Sequence, residues 1–197
     1  MAIILTGSFA LGAANSRSDI DLMIVAKHGR IYTVRLFANF LAIVFRQKRA
    51  RNPNIDHSGK FCLNYFIADN YLQIPTGRGH EIDAYCAKNY GRSILLFELG
   101  PVFQQFLAKN RALFEKTEMK RNQELLTYFP IQKTPSTILC TIIRSFFEFV
   151  LSGSIGNLLE RRTAKTQIRS IESDPITKKW PKYIVYNECE LRFHPPK

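Results

Sequence analysis

The sequence predicts an α+β fold: a small mixed β-sheet backed by helices, with a helical C-terminal extension. Three observations carry this. Short apolar runs at 2–6 and 20–26 are bounded by glycine and turn residues, as buried strands are. From residue 31 apolar side chains recur at helical spacing. Beyond residue 83 the pattern is helical almost to the end, where "KYIVYNECELRFHPP" reads as two short strands about a turn near Asn187.

In chain order, 2–6 is a strand stopped by Gly7, and 8–14 is small enough for one helical turn. "SRSD" at 16–19 is turn chemistry, and 20–26 is a second strand closed by "KHGR". Val34, Phe37, Phe40, Leu41, Val44 and Phe45 give an amphipathic helix over 31–46, with much of its circumference buried. "RQKRARNPN" at 46–54 is a basic linker. "FCLNYFI" at 61–67 is a strand, and "YLQI" at 71–74 would return as a hairpin. From Asp83 a helical pattern runs through "GPVFQQFLAKNRALF", with Pro101 suited to a first turn. Pro130 and Pro135 mark a boundary, and 138–151 and "LLERRTAKTQIRSIES" read as helices. This divides the chain into a core at 1–90 and a helical extension at 91–197 ending in the hairpin.

The 197 residues, 46% of them hydrophobic, are enough for one generous domain or for a domain with an appendage. A formal net charge of +12 favours an anionic partner such as a nucleotide, a nucleic acid or an acidic surface, although a basic inert surface has the same composition. Cys62, Cys86, Cys140 and Cys189 lie far apart, with no CxxC pair, which argues against a zinc knot. Cys62 and Cys140 sit in apolar runs, where a reduced cysteine acts as a small hydrophobe, so the reading is a reducing, cytoplasmic setting. The start lacks the basic region of a secretory leader. The apolar run at 31–45 carries Arg35, and the later one carries Arg144 and Glu148, so both read as core helices rather than transmembrane segments. A surface-lying membrane helix is an alternative for the second.

The segment "LTGSFALGAANSRSDIDLMIVA" carries the chemistry. Alternate residues of a strand share a face, so Asp19 and Asp21 stand together. Two carboxylates this close persist where a cation bridges them, a proton is shared, or water screens them. Magnesium takes hard oxygen ligands, commonly one or two carboxylates plus substrate phosphates. Two such ions would clamp the attacking and leaving oxygens of an in-line displacement. Gly7 lets backbone approach a phosphate, the amides that follow are donors for triphosphate oxygens, and the Ser8 hydroxyl and Arg17 could add contacts. The structural alternative is a turn-capping aspartate with a second, solvated one nearby.

"TGS", ten intervening residues and "DID" between apolar runs resemble the signature of the DNA polymerase β-like nucleotidyltransferase superfamily, and "SRSDIDL" is similar to its small prokaryotic members. The resemblance implies a nucleotidyltransferase-like fold and magnesium-dependent transfer of a nucleoside monophosphate from a nucleoside triphosphate to an acceptor. Asp19 and Asp21 would be catalytic and bind the metal, and Gly7 and Ser8 would hold the triphosphate. The acceptor would be RNA, a protein hydroxyl or a small molecule. The family usually has a third carboxylate on the strand after the first long helix. Here Cys62, Asn64 and Phe66 are expected on one face of that strand, with Asn64 at the third position. An amide oxygen can coordinate magnesium but cannot act as a general base. Glu81 and Asp83 could supply the missing charge, although Asp83 also suits a helix N-cap.

His28, His57, His80 and His194 lack metal-like spacing and read as surface or loop residues. "RQKRAR" and "ERRTAK" suit a polynucleotide backbone or simply a solvated face. Trp180 suits packing of the terminal hairpin. Two non-enzymatic readings compete: a nucleotide- or RNA-binding module that lost the third acid, and a component that neutralises a protein partner.

Overall fold

The computed structural model describes residues 1–49, 56–77, 79–115 and 138–194. Central in the sheet are β1 (Ala2–Thr6), β2 (Ile20–Ala26) and β3 (Phe61–Ala68). β4 (Ile94–Glu98) flanks β1, and β5 (Ile184–Tyr186) and β6 (Glu190–Phe193) form a hairpin beside β3. The six-stranded order is β4-β1-β2-β3-β6-β5, with β2 and β3 parallel and every other neighbouring pair antiparallel. This is a mixed sheet with helices, in keeping with an α+β nucleotidyltransferase-like fold.

Among the described residues the α-helices are α1 (Gly7–Ala10), α2 (Ile31–Val44), α3 (His80–Gly91), α4 (Val102–Lys109), α5 (Arg111–Glu115), α6 (Ile138–Ser152), α7 (Ser154–Ser173) and α8 (Pro175–Lys179). Strand alternation sends Ile4, Met23, Val25, Tyr65 and Ile67 to one face, where they pack on Cys86 and Tyr90 of α3 and Phe103 and Phe106 of α4. Ile24, Ala26, Phe66 and Leu191 face the other way, onto Ile31 and Tyr32 of α2 and Ala164 and Ile168 of α7. The sheet therefore has a core on both faces.

α7 is tied to α2 by more than apolar packing. α2 has no side-chain cap of its own. Glu160 of α7 accepts from the Tyr32 N–H at 2.9 Å and the Thr33 N–H at 2.8 Å, satisfying two first-turn donors from outside the helix. The extension thus completes a helix of the amino-terminal region.

Several local expectations change. Residues 71–74 form no strand; Asn110 at the end of α4 holds this segment instead, accepting from the Ile74 N–H at 2.7 Å and donating to the Leu72 carbonyl at 2.8 Å. The helical stretch expected from 83 onward is interrupted by β4, whose Ile94 and Leu95 are buried beside β1. The hairpin about Asn187 is present, and it extends the core sheet through Tyr65↔Arg192 and Phe66↔Leu191. Residues 94–98 and 184–193 thus share one sheet with the strands of 1–90.

The outer face of α2 is also not buried as expected: Phe40 is 57% exposed and Phe45 67%, whereas Ile31, Tyr32 and Thr33 at its start are buried. Phe146 and Phe149 of α6 are likewise exposed. Among the described residues, no helix is long and apolar enough to cross a membrane. Trp180 packs edge-on against Tyr183, ring centroids 6.0 Å apart. The boundary at Pro130 and Pro135 lies outside the described residues, as does most of the basic linker.

Candidate active site

β1 ends where β2 begins, with Thr6 paired to Asp21 in antiparallel register. The Thr6 hydroxyl donates to the Asp21 carbonyl at 3.3 Å. The chain then turns at Gly7 with φ +67°, left-handed backbone that favours glycine, and enters α1. A Cβ on Gly7 would lie 2.2 Å from Asp21 Oδ2. The missing side chain is therefore the space the carboxylate uses. Ser8 follows within α1, partly exposed. The turn before β2 is held by one local and one distant bond: Asn15 Oδ1 accepts from the Arg17 N–H at 2.9 Å, and the Ile20 N–H donates to Lys60 O at 2.8 Å. Arg17 itself points into solvent.

Asp19 and Asp21 are both partly buried, and each finds a different neighbour. Asp19 Oδ2 is 2.8 Å from Arg49 Nη1, and the same nitrogen is 3.3 Å from Cys62 Sγ. One ligand atom from each of Asp19, Asp21 and Cys62 lies within 4.8 Å of the others. Cys62 arrives there because its Cα pairs with that of Asp21 across the parallel β2–β3 ladder. Burial first, and then the Asp21 charge, push the Cys62 thiol well above its ordinary range, against the pull of Arg49. Burial works against the Arg49 charge, but Cys62, Asp19 and Asp21 outweigh it and raise the group.

Asn64 does reach the site. Its Nδ2 donates to Asp21 Oδ1 at 3.4 Å and lies 3.2 Å from His194 Nδ1. The amide nitrogen is a donor only, so His194 Nδ1 accepts and the ring proton sits on Nε2, facing the Tyr90 hydroxyl. Burial pushes His194 down to about 4, which keeps this ring neutral. Tyr85 of α3 packs on it with centroids 5.3 Å apart. Tyr85 is itself pushed up, by burial first and then by Asp21.

Asn64 and Phe66 do not share a face. Between Asp21↔Cys62 and Met23↔Tyr65 the register shifts: β3 uses two residues where β2 uses one. This bulge turns Asn64 toward Asp21, while Phe66 packs on the α2 side. Asp83 is not the cap of α3, and it lies outside the group formed by Asp19, Asp21 and Cys62. Gly79 occupies the N-cap of α3, and Asp83 Oδ2 accepts from the Gly77 N–H at 2.7 Å. The side chains of Glu81 and Cys140 lie outside the described ones.

Sequence reading had no place in the site for Cys62, Arg49, Tyr90 or His194. Cys62 looked like core, Arg49 like one of several basic residues, and His194 like a loop residue. The available signals were Cys62 two positions before Asn64 and the "ELRFHPP" tail. Only the β3–β6 pairing brings that tail to β3. Beside the carboxylates a groove of about 260 Å³ is bordered by Arg35, Lys48, Arg49, Cys62 and Asn64.

The donor set suits a divalent cation. It offers the carboxylates of Asp19 and Asp21, the latter in the space left open at Gly7, and the guanidinium of Arg49 now occupies the cationic place against Asp19. Comparison with curated proteins and with solved structures finds no match. Residues 1–66, from β1 through most of β3, match the family model described as "Nucleotidyltransferase domain", in keeping with a DNA polymerase β-like nucleotidyltransferase domain.

Proposed function

We propose that the protein is a magnesium-dependent nucleotidyltransferase, moving a nucleoside monophosphate from a nucleoside triphosphate to an acceptor with release of pyrophosphate. The observation that carries this is the meeting of Asp19 and Asp21 beside the Gly7 turn, inside the segment that matches the family. An acceptor hydroxyl oxygen attacks the α-phosphorus and its proton passes to solvent, while the bond from the α-phosphorus to the bridging oxygen breaks and that oxygen leaves with pyrophosphate. Magnesium, when bound, neutralises the triphosphate and the departing charge. Asp19 and Asp21 would hold it, with Asn64 beside them.

The chain's own contribution is positioning. Gly7 and Ser8 begin α1 where a triphosphate would approach backbone amides. Arg49, which lines the groove, would exchange its ion pair with Asp19 for one with a phosphate oxygen. Asn64 steadies Asp21 as a donor, His194 steadies Asn64, and Tyr90 steadies His194. The acceptor would be RNA, a protein hydroxyl or a small molecule, and the groove beside Arg49 is where we expect it. Reduced thiols at Cys62 and Cys189 suit a cytoplasmic setting, where nucleoside triphosphates occur.

A second reading, a nucleotide- or partner-binding module without turnover, is favoured by one observation. Asn64 stands by Asp21 as a hydrogen-bond donor and has no capacity to take a proton from an acceptor. The two readings separate with triphosphates labelled at the α-phosphate, incubated with magnesium and a panel of RNA, protein and small-molecule acceptors. The enzyme reading expects label on one acceptor together with pyrophosphate. Tight binding with no label transfer on any acceptor favours the module.

A further inference from the structure

The outward face of α2 is its apolar one. The polar side chains of this helix turn to the protein. Tyr32 and Thr33 are buried, Arg35 donates to Gln167 Oε1 of α7 at 2.6 Å, and Asn39 donates to the Arg35 carbonyl at 2.8 Å. Arg35 and Asn39 border the groove beside the carboxylates. On the opposite side of the helix Leu36, Phe37, Phe40, Leu41, Ile43 and Val44 are between 42% and 57% exposed, and Phe45, which follows, is 67% exposed. Soluble proteins seldom leave a contiguous apolar stretch of this kind in water, and one rimmed by charge marks an interaction surface. Cations stand at both ends of the stripe. Lys27 is exposed before it, Arg46 and Lys48 are exposed after it, and Lys60 Nζ donates to the Arg46 carbonyl at 2.9 Å. Between Asp21 and Asp56 the sequence has seven lysines and arginines and no acidic residue.

We propose that the outer face of α2 docks the protein on an anionic lipid surface, with the helix lying in the plane of the headgroups. Phe37, Phe40, Leu41 and Val44 enter the boundary between headgroups and acyl chains, and Arg46, Lys48 and Lys60 meet lipid phosphates beside them. The 14 residues of α2 make a rod of about 21 Å, which lies on one leaflet and is too short to span two. Two other occupants fit this face less well. A second copy would bring the same cations, and a net charge of +12, to the contact. A protein partner would have to supply a groove, because the face is the convex outside of a helix, whereas lipid yields around it. Docking through this face uses neither Asp19 nor Asp21, and holds whether or not a nucleotide is transferred.

Sedimentation of the full chain with sucrose-loaded vesicles tests this. Two compositions are compared: phosphatidylcholine alone, and a mixture of about three parts phosphatidylcholine to one part phosphatidylglycerol. The wild type is expected to bind the mixed vesicles about tenfold or more tightly than the neutral ones, and to be released by high salt. Phe40→Gln/Val44→Gln changes two exposed positions to a good helix former, so it should stay folded in thermal unfolding and lose about tenfold or more in binding to mixed vesicles. Arg46→Glu should lose about fivefold or more. Equal binding to the two compositions, no binding to either, or unchanged binding by folded Phe40→Gln/Val44→Gln overturns the proposal. A dimer in sedimentation equilibrium that this variant dissolves, without vesicle binding by the wild type, also overturns it and assigns the face to a second copy.

Discussion

Gly7 and Asp21 compete for one space: a Cβ on Gly7 would sit 2.2 Å from Asp21 Oδ2, on backbone whose φ is +67°. The glycine of the "TGS" turn thus serves the carboxylate of "DID" directly, in addition to freeing backbone for a ligand. Gly7→Ala is expected to cost about 1–2 kcal/mol from the left-handed backbone alone. It should also push the Asp21 carboxylate aside and weaken triphosphate binding by more than tenfold. Thermal unfolding and calorimetry measure the two effects separately. Unchanged binding would mean that Asp21 does not need the space.

The contact between Glu160 and α2 predicts that the C-terminal extension stabilises the amino-terminal region. Glu160→Ala leaves the Tyr32 and Thr33 amides without their carboxylate, and should lower stability by about 1–3 kcal/mol in urea unfolding. Glu160→Gln keeps one acceptor oxygen and should recover part of the loss.

β6 carries a buried ion pair. Arg192 Nε is 3.4 Å from Glu190 Oε1, and the two side chains are 2% and 0% exposed. Arg192 also donates to Cys86 Sγ of α3 at 3.3 Å. Arg192→Leu alone should cost about 3–5 kcal/mol, because it removes the cation paired with a buried carboxylate. Replacing both Arg192 and Glu190 with leucine should recover most of that, since the second change takes the buried charge away as well. Equal losses in the single and double variants would contradict this account.

His194 makes stability depend on pH. Its folded value of about 4 lies below the ordinary 6.5, so the unfolded chain binds the proton more readily. Its contribution is fully present above about pH 6.5 and is lost progressively as pH falls toward 4. The loss amounts to a few kcal/mol. Urea midpoints across this window should fall with acidity, and His194→Gln should flatten that slope.

The fold's first half was legible because its signals are local. Gly7 stops one strand, "SRSD" turns into the next, and "FCLNYFI" is long enough to read as β3. β4 was not legible, because "ILLFE" is a short continuous apolar run that periodicity alone does not separate from the helical patterns on either side, even though Gly91 and Gly100-Pro101 bound it. The site divides in the same way. Asp19, Asp21, Gly7 and Ser8 lie within one short segment, and spacing alone brings them together. His194 is 130 residues from Asn64 and meets it only through long-range strand pairing. The bulge at Leu63 and Asn64 has no sequence marker, so strict alternation put Asn64 and Phe66 on one face. The exposed Phe40 and Phe45 show the limit of periodicity, which finds an apolar stripe without saying what covers it.

The most direct test of the carboxylate pair is calorimetric titration of each nucleoside triphosphate with magnesium, into the wild type and into Asp19→Asn/Asp21→Asn. The account predicts magnesium-dependent binding of at least one triphosphate to the wild type, and its loss by at least tenfold in the folded double variant. Equal binding to both proteins, or none to the folded wild type, would contradict it.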